Sequence, residues 1–138
     1  MDRQDIEHIL PHRGNMLLLD SVRKQADEAV GEYTIPADAF YLDGHFPDNP
    51  IVPGVILCEI LAQTSCVLLD DVLTDAELPV YTGLINVKFR SPVKPGDTVV
   101  TRCRIKRSKH PFYFAEGTVS VSGRLCVSAE FSFAVTEM

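Results

Sequence analysis

The chain has 138 residues, 46% of them apolar and 23% charged, with a net charge of −6. That balance fits one folded domain, residues 1–138, with a real hydrophobic core, and it excludes a disordered or fibrous chain. The acidic total and the absence of tryptophan argue against a nucleic-acid binder, and no apolar run is long and uncharged enough to span a bilayer.

In chain order, Ile6, Ile9 and Leu10 sit at i, i+3 and i+4, which predicts a short amphipathic helix ended by Pro11. Residues 1–10 are polar and charged, so no secretory leader is expected. Met16–Leu19 is a compact apolar run that predicts a first strand. Ala29–Ile35 alternates well enough to predict a second, between the turn-like flanks Asp27-Glu28 and Pro36-Ala37-Asp38.

The segment from Gly44 to Gln63 then organises the chain. Three prolines and two glycines hold its first half out of regular structure, because proline fixes φ and restricts the residue before it. After Pro53-Gly54 the punctuation stops. From Val55 to about Leu69 nearly every side chain is apolar or small, which predicts a buried helix. Pro53-Gly54 supplies no side-chain cap, so the first-turn N–H groups and the positive end of the helix dipole are free to bind a ligand.

Asp70–Pro79 is polar and predicts an exposed link. From Val80 the pattern turns to β. Val80–Phe89 is rich in β-formers, and Pro92-x-x-Pro95-Gly96-Asp97 is a turn. Thr98–Arg107 alternates, with Val99, Thr101, Cys103 and Ile105 on one face and Arg102, Arg104 and Lys106 on the other. Phe112–Val121, the hairpin signal Ser122-Gly123 and Leu125–Val135 complete an antiparallel meander. One long helix with several strands predicts an α+β fold, a sheet wrapped around the helix.

Glu59 is the one charged residue between Val55 and Leu69. Unpartnered in apolar surroundings, a carboxyl tends to hold its proton. His45 lies upstream in the proline-rich loop, and an imidazole with a protonated carboxyl makes a general base and general acid. A loop histidine on the surface and a hydrogen-bonded core glutamate are the structural accounts of the same residues. Cys58, Cys66, Cys103 and Cys126 have neither CxxC nor zinc spacing and read as buried thiols in a reducing cytoplasm. Lys88–Lys109 carries eight basic residues against Asp97 alone; it is either a solvated face or a docking patch for an anionic partner, with Lys88, Arg90, Lys94 and Arg102 as its candidates.

Gly44-His45-Phe46-Pro47-x-x-Pro50-x-x-Pro53-Gly54, followed by Glu59-x-x-Ala62-Gln63, resembles the signature of the β-hydroxyacyl-ACP dehydratases of bacterial type II fatty acid synthesis (FabZ type). Leu10-Pro11-His12-Arg13 with Leu18-Leu19-Asp20 resembles that family's N-terminal motif. Tyr81-x-Gly83 with Phe89-Arg90-x-Pro92-Val93-x-Pro95-Gly96-Asp97 resembles its later block. The related dehydratase/isomerase branch has Asp where this chain has Glu59, which favours the dehydratase-only branch.

The resemblance implies the hot-dog fold and elimination of water from a (3R)-3-hydroxyacyl-ACP. It implies His45 as base, Glu59 as proton donor to the departing hydroxyl, and backbone N–H groups at Gly54 and Val55 for the thioester oxygen. Tyr81 would gate an acyl tunnel that Phe46 and Pro53 help to line. It further implies a homodimer with shared sites, assembled as a trimer of dimers, and an acidic acyl carrier protein bringing substrate on a phosphopantetheine arm to the basic patch. No cofactor or metal is expected. An acyl thioesterase and a non-catalytic acyl-binding module are the alternatives on the same architecture. Two departures stand out: Asp48 where the family usually has glycine, and Gly14-Asn15 where it usually has Tyr-Pro.

Overall fold

The computed structural model describes residues 1–43, 48–74 and 76–137. Its helices are α1 (Arg3–Glu7) and α2 (Gly54–Cys66), the latter continued by one 3₁₀ turn over Val67–Leu69. Its strands are β1 (Ser21–Gln25), β2 (Glu28–Thr34), β3 (Glu77–Phe89), β4 (Thr98–Lys109), β5 (Phe112–Val121) and β6 (Arg124–Glu137). They form one six-stranded antiparallel sheet in the order β1-β2-β4-β5-β6-β3. Helix α2 packs against β2, β3, β4 and β5. This is the predicted α+β hot-dog arrangement.

The meander forms where the alternation is cleanest. Along β5, Tyr113, Ala115, Gly117, Val119 and Val121 are buried and the residues between them are not. The turn into β6 places Ser122 at φ 50° and Gly123 at φ 79°, the left-handed pair a two-residue hairpin needs. Gly31 and Gly117 let the sheet and α2 approach. A Cβ at Gly31 would lie 2.6 Å from the Thr101 hydroxyl and 2.9 Å from that of Thr64. Those hydroxyls are bonded to each other at 2.7 Å, and Thr64 donates onward to the Ile60 carbonyl at 2.8 Å.

Two expectations about the strands need correction. Met16–Leu19 is no strand: a 3₁₀ turn spans Gly14–Met16, and Leu17, Leu18 and Leu19 run on as a fully buried loop. An apolar run identifies burial, and burial alone does not require a ladder. The first strand is instead the polar Ser21–Gln25, which can be polar because it is a short edge strand. The link after α2 is also shorter than expected, since β3 begins at Glu77 and takes in Pro79. Proline is tolerated there because β3 is the opposite edge of the sheet.

Helix α2 is buried on most of its circumference, as expected, with one open stripe. Val55, exposed, and Glu59 and Ala62, partly exposed, lie on it at i, i+4 and i+7. Among the described residues, no helix is long and apolar enough to cross a membrane.

Candidate active site

The start of α2 has the geometry its sequence predicts. Pro53 is the N-cap residue with φ −56° and ψ 137°, and no side chain caps the helix. Its carbonyl accepts from the Ile56 N–H at 2.9 Å, which leaves the Gly54 and Val55 N–H groups at the positive end of the helix dipole. The entry is pinned by Val52, whose N–H donates to the Val93 carbonyl at 2.8 Å. Gly54 also has a packing role: a Cβ there would lie 2.5 Å from the Phe89 ring. Ile51, Val55, Leu57, Phe89 and Pro92 border an apolar groove of about 490 Å³ at this helix end. Gly44, His45, Phe46 and Pro47 lie outside the described residues, so the assigned base and Phe46 have no stated position.

Glu59, one turn further along, is not the unpartnered carboxyl in apolar surroundings that the sequence implied. Gln63 Nε2 donates to its Oε1 at 3.1 Å. His12 Nε2 lies 3.1 Å from the same oxygen. About a quarter of the Glu59 side chain remains accessible. Gln63 is itself 1% exposed and fully used, accepting from the Leu18 N–H at 2.8 Å and donating to the Met16 carbonyl at 2.9 Å. Neither partner was assigned a role from sequence. Gln63 is detectable as the i+4 neighbour of Glu59 on a helix. His12 carries no local signal beyond its place in the Leu10–Arg13 motif.

Tyr81 reaches the same region from β3. Its hydroxyl donates to the Cys58 carbonyl, and its ring meets Phe131 edge-on with centroids 5.8 Å apart. Burial holds the phenol far above its ordinary pKa. His12, Glu59, Gln63, Cys66, Tyr81 and Phe133 line a pocket of about 330 Å³. Burial, and then the Glu59 charge, pushes the Cys66 thiol up to about 12, so this cysteine is a wall of the pocket and no nucleophile at neutral pH. All four cysteines are buried and free.

On the outer face of the sheet, Lys88, Arg90 and Arg102 border one hollow together with Glu28, Glu116 and Glu130. The basic stretch is partly neutralised there. Arg104 pairs with Glu116 at 2.5 Å and Lys106 with Glu130 at 2.6 Å. Lys106 and Asn86 hold the Glu130 carboxyl below its usual range. Lys94 stands apart, exposed in the turn before β4.

The chain matches the family model of ApeI-like dehydratases (ApeI dehydratase) over residues 21–129. Among curated relatives, the 3-hydroxyacyl-[acyl-carrier-protein] dehydratase FabZ of Halalkalibacterium halodurans is 35% identical over 135 residues, covering 96% of each chain. That of Geobacillus sp. is 36% identical over 138 residues, covering 98% of this chain and 95% of the relative. Solved structures share the fold at lower identity. The dehydratase heterocomplex ApeI:P from Xenorhabdus doucetiae aligns with a TM-score of 0.82 at 19% identity, over 96% of this chain and 91% of the other. The fluoroacetyl-CoA thioesterase FlK aligns with a TM-score of 0.70 at 12% identity, over 83% and 89%. With near-full-length FabZ relatives, a matching dehydratase model and a sheet wrapped on one helix, the chain belongs to the FabZ-type family of hot-dog dehydratases.

Proposed function

We propose that the protein is a (3R)-3-hydroxyacyl-[acyl-carrier-protein] dehydratase, removing water to give trans-2-enoyl-ACP in fatty acid elongation. The observation that carries this reading is the arrangement on α2. An uncapped first turn at Gly54 and Val55 and a pocket-facing carboxyl at Glu59 sit one turn apart on a rigid helix. The α-proton beside a thioester is weakly acidic, so its removal needs a base and a donor for the enolate-like oxygen. The Gly54 N–H, with Val55 beside it, is the donor, a role worth ~10²–10³-fold in rate. Glu59 protonates the departing β-hydroxyl and His45 takes the α-proton, worth ~10²–10⁴-fold together as acid–base help. No step in this scheme requires a metal or an organic cofactor.

The thioesterase alternative shares the fold, as FlK does. It is disfavoured by the FabZ relatives, whose similarity runs nearly the length of the chain.

The proposed enzyme is a homodimer joined through β3, whose sites take His45 from one protomer and Glu59 from the other. Strand β3 is a 13-residue edge, and Val80, Leu84, Ile85 and Phe89 on it are exposed. A long apolar edge of this kind calls for a cover. Val55, 70% exposed at the helix start, continues the same apolar surface. Further association into a trimer of dimers follows the family pattern. Acyl carrier protein docks at Lys88, Arg90, Lys94 and Arg102, and the acyl chain passes Tyr81 as a gate beside Phe46 and Pro53. The setting is the reducing cytoplasm, in keeping with four free thiols.

Subunit complementation tests the shared site. His45→Ala and Glu59→Gln homodimers are each expected to be inactive. Refolded together, they should regain about a quarter of wild-type turnover, because half the random dimers hold one intact site. No recovery in verified heterodimers would place both residues in one protomer.

A further inference from the structure

We infer that His12 is a positioning residue for Glu59, fixing which oxygen of the carboxyl carries the reactive proton. The inference rests on Glu59 being the acid proposed above.

Both neighbours of the carboxyl converge on one atom. Gln63 Nε2 donates to Glu59 Oε1 at 3.1 Å, and His12 Nε2 stands 3.1 Å from the same Oε1. A carboxyl oxygen has two in-plane lone pairs, and two N–H donors occupy them. A proton on Oε1 would face both donors, so the acidic proton belongs on Oε2, the oxygen left for substrate. The other ring nitrogen supports the same assignment. His12 Nδ1 is buried and has no hydrogen-bond partner among the described residues. A protonated Nδ1 would be an orphaned buried donor, whereas a bare Nδ1 with the hydrogen on Nε2 directs the only N–H at Glu59.

The loop that presents His12 is tied down on both sides. Arg13 donates from Nη1 to the Leu10 carbonyl at 2.7 Å and the His12 carbonyl at 2.8 Å, and from Nη2 to the Glu7 carbonyl at 2.9 Å. Arg3 reaches the next stretch, donating from Nη1 to the Leu17 carbonyl at 3.1 Å and the Leu19 carbonyl at 3.0 Å. These arginines hold backbone, and among the described residues the imidazole they deliver has one polar contact, Glu59. Without it, the terminal torsion of a glutamate is broad and close to two-fold, so either oxygen could turn to the pocket.

The test compares His12→Leu, His12→Asn and His12→Gln, alone and on a Glu59→Gln background, using a 3-hydroxyacyl-ACP substrate. Leucine removes the donor at similar bulk, asparagine is polar but too short to reach Oε1, and glutamine returns an N–H near the Nε2 position. His12→Leu and His12→Asn should each lower kcat by ~10–100-fold with KM little changed, the scale of a misplaced catalytic group. His12→Gln should recover most of that loss. His12→Leu should cost nothing more once Glu59 is glutamine, because it acts through that carboxyl. Two results would overturn the inference while sparing the acid: near-normal kcat in His12→Leu and His12→Asn beside a Glu59→Gln enzyme slowed at least ~10²-fold, or full additivity in the double variant, read on the residual turnover of Glu59→Gln. A Glu59→Gln enzyme with normal turnover would remove the acid itself and the inference with it.

Discussion

Gln63 and Leu18 are joined by a buried hydrogen bond, the Leu18 N–H donating to the Gln63 Oε1 at 2.8 Å across 45 positions of sequence. That bond holds the N-terminal loop against α2, and the other end of the same amide steadies Glu59. Gln63→Leu therefore strands the buried Leu18 N–H and the part-buried Met16 carbonyl while filling similar space. Unmade buried hydrogen bonds cost ~1–3 kcal/mol each. The variant should melt several degrees lower and also lose activity, because among the described residues Glu59 is left with His12 alone. A stable Gln63→Leu protein with normal turnover would contradict both roles.

Glu59→Gln keeps shape and one hydrogen-bonding face but cannot donate an acidic proton. A fall in kcat of at least ~10²-fold is expected for loss of a general acid. His45→Ala should abolish turnover with the fold retained. Circular dichroism and melting curves alongside the kinetics separate loss of chemistry from loss of fold.

Lys88 and Arg90 are exposed on the outer face, and no ion pair with an acidic neighbour engages either among the described residues. Reversing both, as Lys88→Glu with Arg90→Glu, should raise KM for ACP-linked substrate and flatten its salt dependence. Pantetheine thioesters lack the acidic carrier surface and should turn over almost normally. Equal loss on both substrates would locate the damage in the site and not in docking.

Cys66 supplies a pH signature. Its thiol is raised from 9.0 to about 12, first by burial and second by the Glu59 charge, so the folded state prefers the neutral form. Stability from this group is full below about pH 9 and is lost as pH climbs toward about 12, because the unfolded thiol ionises first. Melting temperature should fall less steeply above about pH 9 in Cys66→Ala than in wild type, even if the variant starts lower. Parallel slopes would show that the thiol does not carry the alkaline loss.

What was legible in the sequence follows from where local pattern and burial agree. Val99, Thr101, Cys103 and Ile105 face the core as their alternation predicts, and Pro53-Gly54 marks the helix start to within one residue, the helix beginning at Gly54 and not at Val55. Leu17–Leu19 misled because a buried loop and a buried strand have the same composition, and here side chains, Gln63 at Leu18 and Arg3 at Leu17 and Leu19, take the backbone bonds a ladder would have made. Glu59 was found as the lone charge on an apolar helix, yet its environment was misjudged. The two donors that face it come from the next helical turn and from a loop 47 positions away, and a pairing at that distance leaves no periodicity to read. The charge of the basic stretch is offset in the same way: Glu116 and Glu130, which pair with Arg104 and Lys106, sit on neighbouring strands.

The central claim is that the protein makes a carbon–carbon double bond and does not cleave a thioester. Purified protein given a 3-hydroxyacyl-ACP, and in reverse a crotonyl thioester, should be followed at the ultraviolet band of the conjugated enoyl thioester and with a thiol reagent at once. Dehydration predicts an enoyl signal that rises from the hydroxyacyl substrate, falls from the crotonyl substrate on hydration, and disappears in Glu59→Gln, with no free thiol released. Thiol release in step with substrate loss, without any enoyl signal, would contradict the account and make the protein a thioesterase.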